Sequence, residues 1–236
     1  MTGSDSGCSL GAWPLAVGQP VLVGGFMSFK LKRVVDLFPT PLVISEVDGS
    51  DRLNAALLGE VAERRRAEPG MKRSNRHGWH SKRDLFERPE PAHRELAQAL
   101  TTMIVGATQR LVPGADFTKL DMACEGWINV NPGGGYNGPH DHPGAFWSGA
   151  YYVAMPDNGE DDPDGGAIEF LAHRPSNYFV NLLPAPMTSD KMRFQPKPGT
   201  ALLFPATIKH WVFPHHAEAE RVTVAFNAQF RPRRGS

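Results

Sequence analysis

The chain has 236 residues, and its 25 lysines and arginines are balanced by 25 aspartates and glutamates. A net charge of zero sets up no global field for nucleic acid or an anionic membrane, and neither is expected as a partner. The two cysteines, Cys8 and Cys124, are too few for a disulfide framework or a cysteine-held metal.

The length suits one large domain, and the scattered 24 glycines and 21 prolines suit many short strands joined by turns. The N-terminal stretch lacks the basic start and apolar run of a signal peptide, and no stretch is apolar enough to span a bilayer. A cytoplasmic setting is expected. Residues 1–25 show no period and read as a loosely ordered arm ahead of a single domain over 26–236.

Taken in order, the first strand is expected over Leu42–Val47. Helix caps follow at Asp48 to Asp51. Leu53, Leu57, Leu58 and Val61 then recur at helical spacing and run into Arg64, Arg65 and Arg66, read as a solvated helix end before Pro69-Gly70. The segment Ser74 to Ser81 has no period. Its Trp79 and His80 are candidates for lining the mouth of a site. A second helix is predicted over Pro91–Leu111, with Leu96, Leu100, Ile104, Ala107 and Leu111 on its apolar face and His93 exposed in its first turn. Two amphipathic helices within 50–112 need a surface to pack on, and the second half offers a sheet.

From Leu120 the pattern alternates. Trp127, Asn129 and Asn131 fall on one face of a strand, Ile128 and Val130 on the other. Asparagines opposite an apolar face suit a polar pocket inside a barrel. Further strands are expected at Ser148–Ala154, Gly166–Leu171, Thr200–Pro205 and Arg221–Phe230. The fold class is therefore mainly β with N-terminal helices, a jelly-roll or cupin-like core.

His140 and His142 sit two apart in what reads as a strand, so both imidazoles face one way and Asp141 the other. His210, in FPATIKHWVF, supplies a third imidazole. Such a set suits iron, zinc, copper or nickel. Asp141, if the strand bulges, or Glu169 are alternative ligands. Arg221 can grip a carboxylate through two parallel hydrogen bonds, and Thr223 shares its face. The competing reading pairs Arg221 with Glu218 or Glu220. His215 and His216, after Pro214, are expected at the surface, and His173 is expected to pack or cap.

The order Ser74-Asn75, Gly78-Trp79-His80-Ser81, Trp127-Ile128-Asn129, His140-x-His142-Pro143, Ser148-Gly149-Ala150-Tyr151-Tyr152, Phe204-Pro205, His210 and Arg221 to Asn227 resembles the 2-oxoglutarate/Fe(II)-dependent oxygenases. Within them it is most similar to a bacterial and phage family with an H-x-H…H…R pattern, over roughly 38–230. The resemblance implies a double-stranded β-helix, Fe(II) at its mouth, 2-oxoglutarate as cosubstrate and O2. Arg221 would hold the far carboxylate of the cosubstrate with Tyr152 and Thr223. Asn129 would meet its near end or the substrate. Trp127, Asn131, His80, Trp79 and Ser148 are the substrate-pocket candidates. The chain departs from the common H-x-D/E pattern at His142, and an all-histidine metal face is the reading adopted.

The implied reaction is hydroxylation of an unactivated C–H of a small-molecule, amino-acid or peptide-like substrate, releasing succinate and CO2. The segments Asp157–Asp164 and Asn177–Phe194 could serve as lids. Two other classes fit the same residues: a cupin-type metalloenzyme without 2-oxoglutarate, and a non-catalytic metal-binding barrel. Whether the protein forms a homodimer is left open.

Overall fold

The computed structural model describes residues 32–174, 182, 185 and 187–233. The expected arm at 1–25 lies outside the described residues, as does much of the expected second lid. The chain divides after Pro39, and every helix and strand named below belongs to the unit Thr40–Ser236.

Two α-helices, one 3-10 helix (Leu85–Glu87) and eleven strands form this unit among the described residues. Helix α1 spans Ser50–Ala67 and α2 spans Pro91–Leu111. The strands are β1 (Val43–Glu46), β2 (Asn75–Arg76), β3 (Trp79–His80), β4 (Leu120–Asn131), β5 (Tyr136–His140), β6 (Trp147–Ala154), β7 (Ile168–Leu171), β8 (Lys191–Phe194), β9 (Thr200–Pro205), β10 (Lys209–Val212) and β11 (Arg221–Pro232). They make two antiparallel sheets. The larger runs β1-β9-β6-β11-β4-β3 and the smaller β2-β5-β10-β7-β8. This is the jelly-roll core expected from the strand pattern, and the double-stranded β-helix that the resemblance implied.

The larger sheet separates two chemistries by its period of two. One face carries Ile128, Val130, Trp147, Tyr151, Val153, Leu203, Val222, Val224 and Phe226, which pack with Leu53, Leu57, Leu96, Leu100 and Ile104 of the helices. The other carries Trp127, Asn129, Ser148, Tyr152, Arg221 and Thr223, and lines a cavity between the sheets. Two hydrogen bonds tie the helices to the sheet: Trp147 Nε1 donates to Thr108 Oγ1 at 2.8 Å, and Tyr151 Oη to Asn54 Oδ1 at 2.7 Å. The buried stripe of each helix thus backs the sheet on the face away from the cavity. Leu57 is fully buried in this layer. Leu57→Ala should destabilise the fold by about 2–5 kcal/mol, read by denaturant unfolding, because the rigid backing cannot collapse into the space.

Several local expectations need correction. His93 is buried, because the Glu60 carboxylate of α1 accepts from its ring Nδ1 and from the backbone amides of Ala92 and His93. Glu60 thereby caps α2, whose own N-cap side chain makes no such bond. Arg64 is also buried rather than solvated and donates to Asp84 at 2.6 Å. Leu58 and Leu111 are exposed, off the packed stripe. The aperiodic segment 74–81 forms β2 and β3, each two residues long and each added to a different sheet. Strand β5 stops at His140, so His142 stands in the turn beyond it. His215 is fully buried, with Nε2 3.0 Å from the Asn131 carbonyl oxygen.

Candidate metal centre

His140 and His210 are directly opposed in the β5–β10 ladder. His142 follows two residues later, its backbone amide bonded to the Ala206 carbonyl at 2.9 Å. The result is a triangle of imidazoles with ring centroids 4.5, 5.0 and 5.2 Å apart. One nitrogen from each lies within 4.8 Å of the others, close enough to share an ion. Two rings are oriented by backbone carbonyls. His140 Nδ1 donates to Gly138 O at 2.7 Å and His210 Nδ1 to Ile208 O at 3.0 Å, which leaves each Nε2 with a free lone pair. His142 is held less firmly, since its Nδ1 has only a 3.4 Å contact with Asn227 Nδ2.

The site keeps these rings neutral. Burial, with the neighbouring His140 adding to it, pushes His210 down to about 3 and His142 down to about 4. His140 is lowered too, chiefly by burial. Phe204 and Phe170 flank His210, with centroids 4.9 and 6.0 Å away, and form its dry wall. Neutral imidazole is the ligating form, so the triangle is ready for a metal without losing protons.

Arg221 is buried at 2% exposure on β11. Its Nε donates to Gly166 O at 3.0 Å and one terminal nitrogen to Thr223 Oγ1 at 3.2 Å. Gly166 has φ +71°, and a Cβ there would stand 3.2 Å from Arg221 Cδ, so glycine suits the position on both counts. Among the described residues no carboxylate pairs with Arg221; Glu220 instead binds Arg65. The guanidinium carbon sits 5.3 Å from the centre of the Tyr152 ring. The buried Tyr152 hydroxyl makes no hydrogen bond of ordinary geometry, and burial pushes its pKa up to about 12. Asn129 Oδ1 is likewise buried and unpartnered. A buried cation, a phenol and an amide with unmet hydrogen bonds therefore face one cavity.

The remaining candidates divide. His80, Trp127 and Ser148 stand at or beside this cavity, His80 stacked on Trp127 at 5.6 Å. Trp79 turns to the opposite face, where its indole N–H donates to Glu68 O and its ring covers Gly70, so it is removed from the pocket. Asn131 is a cross-brace rather than a lining residue, with Nδ2 bonded to Asn137 Oδ1 at 3.0 Å. Asp141 is exposed and outside the triangle. Glu169 is held by Arg193 and by Trp211 Nε1, away from the histidines. Two participants were not singled out from the sequence as site residues. Asn227 shares the parity of Arg221 and Thr223 and could have been found by it. Asn137 carries no local signal.

Over residues 125–227 the sequence matches the family model described as "Putative 2OG-Fe(II) oxygenase". The chain resembles the 2OG-Fe(II) oxygenases. The matched stretch contains all three histidines and Arg221. No curated protein matches the chain. Among solved structures, a Pseudomonas putida prolyl-4-hydroxylase is similar with TM-score 0.57 and 18% identity, covering 81% of this chain and 92% of that one. A Trichoplax adhaerens prolyl hydroxylase in complex with a hypoxia inducible factor peptide fragment gives 0.58 and 16%, covering 80% and 83%. The non-heme alpha ketoglutarate dependent epimerase SnoN of nogalamycin biosynthesis gives 0.55 and 12%, covering 81% and 78%. At these identities the structural likeness speaks for the fold.

Proposed function

We propose that the protein is an Fe(II)- and 2-oxoglutarate-dependent oxygenase that hydroxylates a C–H bond of a small-molecule or peptide-like substrate. The observation that carries this reading is Arg221, a buried cation with no carboxylate partner among the described residues, set in the same cavity as three neutral imidazoles. The residues fit the groups they would hold. His140, His142 and His210 would supply three neutral imidazole donors for Fe(II) beside the cavity they help to line. Arg221 supplies the counter-charge for the far carboxylate of 2-oxoglutarate, with the Tyr152 hydroxyl and Thr223 as further hydrogen-bonding groups.

Iron with 2-oxoglutarate and O2 would supply the oxidising chemistry, in which R–H, O2 and 2-oxoglutarate become R–OH, succinate and CO2. The protein's share is placement. The backbone carbonyls of Gly138 and Ile208 aim two of the imidazoles. Phe170 and Phe204 form an apolar wall beside His210 and keep water from that side of the histidines. Asn129, Ser148 and Trp127 line the cavity where the substrate would enter. Solved structures of this fold include prolyl hydroxylases and an epimerase, so the fold accommodates more than one outcome.

Anaerobic addition of Fe(II) and then 2-oxoglutarate to the apo-protein should give a visible charge-transfer band at one equivalent of each. Iron binding without a band on adding 2-oxoglutarate would overturn the cosubstrate assignment and favour a cupin-type enzyme. Admitting O2 with a panel of substrates, and following succinate and product mass, tests the hydroxylation.

A further inference from the structure

Between Met71 and Arg83 the chain carries five lysines and arginines, Lys72, Arg73, Arg76, Lys82 and Arg83, and not one aspartate or glutamate. The fold brings the two ends of the segment, which carry four of them, side by side, and Arg73 and Arg83 both act on His80. Strands β2 and β3 form the arms of this segment, with the turn at His77. Met71 N donates to His80 O at 2.8 Å, so the two ends of the segment lie side by side. β2 pairs with β5 so that Ser74 reaches Gly138, and Lys72 and Arg73 therefore fall beside the His140 end of β5. β3 pairs with β4, and Ser81 N donates to Ile128 O, which brings Lys82 and Arg83 to the Trp127 end of β4.

Arg83 is the best defined of the four. Its guanidinium carbon lies 4.8 Å over the Trp127 ring, which in turn is 5.7 Å from the His142 ring. It is half-exposed and bonded to one carboxylate, Glu125, at 3.0 Å. Lys72, Arg73 and Lys82 are exposed and have no carboxylate partner among the described residues. Two acids face this group. Glu125 is shared between Arg83 and Asn227, and Asp141 is exposed next to His140. The electrostatic sum at the lip is positive, and Arg83 and Arg73 both press His80 toward its neutral form after burial has done so.

This collar is not the cosubstrate's anchor. Arg221 is opposite Asn131 in the β11–β4 ladder, whereas Arg83 stands at Trp127. Four residues of strand separate them, roughly 13 Å. A dicarboxylate held by Arg221 uses the inner end of the cavity and leaves the outer cations free.

We propose that the collar of Lys72, Arg73, Lys82 and Arg83 binds an anionic group, a carboxylate or a phosphate, on the primary substrate, with Arg83 as its main contact. The inference rests on the oxygenase reading above and adds the substrate's charge class. The flat guanidinium over Trp127 can present two parallel N–H donors to such an anion, and the flanking lysines raise its local concentration.

The test uses the full chain loaded anaerobically with Fe(II) and saturating 2-oxoglutarate. Calorimetric titration follows four probes of similar size: N-acetyl-L-glutamate, O-phospho-L-serine, N-acetyl-L-glutamine amide and N-acetyl-L-lysine amide. At least one of the two anions should bind roughly tenfold tighter than the neutral and cationic probes, and the winning anion tells carboxylate from phosphate. Arg83→Gln should lower that affinity roughly tenfold while the charge-transfer band, and so the 2-oxoglutarate site, persists. Arg83→Glu should turn the preference toward the lysine probe. Equal binding of neutral and anionic probes, binding unchanged in Arg83→Gln, or no binding by any probe would overturn the collar. Absence of the band in the parent protein overturns the oxygenase reading itself and this inference with it.

Discussion

Arg221→Met is expected to weaken 2-oxoglutarate binding by about two to three orders of magnitude while leaving the apo-protein no less stable than the parent. The two halves have one cause. In the apo-protein the guanidinium is buried with no carboxylate partner among the described residues, and burial pulls its pKa below the ordinary arginine value. An uncompensated buried ion costs several kcal/mol. Removing it relieves that penalty and sacrifices the bonds to Gly166 O and Thr223 Oγ1, which leave groups whose loss of partner costs about 1–3 kcal/mol. With the dicarboxylate bound the balance reverses, because truncating one partner of a desolvated, hydrogen-bonded charge pair costs about 2–5 kcal/mol. Thermal melting with and without 2-oxoglutarate, with Mn(II) as a redox-silent stand-in for Fe(II), separates the terms. At one hundred times its Kd the cosubstrate should stabilise the parent by about 2.7 kcal/mol and the variant hardly at all. A variant that keeps the cosubstrate-dependent rise would remove Arg221 from the site.

How far the sequence could be read follows from what each feature depends on. The facing of Trp127 and Asn129 against Ile128 and Val130 is a property of strand geometry alone, and the structure has it as expected. The same holds for α2, whose bounds match the predicted Pro91–Leu111. Arg221 and Thr223 share the cavity face because their spacing is two. Where the reading failed, the deciding partner was remote in sequence. His93 is buried because Glu60 waits for it on another helix, and His215 because the Asn131 carbonyl does. Trp79 and His80 alternate correctly, but which of them faces the pocket was set by pairing with Val130 and Asn129, and that register has no local signature in a two-residue strand. His142 reached the triangle by a different route from the one expected. It is placed by the turn after β5 and the Ala206 carbonyl rather than by strand alternation.

That placement sets up the second large effect. His142→Ala should lower metal affinity by at least two orders of magnitude, more than the roughly 10–100-fold lost when only an outer partner of a ligand is removed. His142→Asp should restore metal binding and weaken 2-oxoglutarate by about tenfold. The carboxylate removes one unit of positive charge from the metal face and repels the incoming dianion across a low-dielectric gap. The parent's pH profile gives an independent check on the same three rings. His210 and His142 have folded-state values near 3 and 4, below the 6.5 of an unfolded histidine. The unfolded chain therefore takes up protons first as the pH drops. The histidines contribute their full stability above about 6.5, and that contribution is lost progressively as the pH falls from there toward the folded values. His142 and His210 stay neutral well below 6.5, and burial lowers His140 too, so Mn(II) affinity should persist below the usual histidine range and collapse toward 4, where His142 takes up a proton. A site of solvent-exposed histidines would lose the metal two units earlier. Calorimetric Mn(II) titrations across pH decide this: a midpoint near 6.5 would mean that the three rings open to water in solution, and the dry, neutral triangle on which the His142 comparison depends would be wrong.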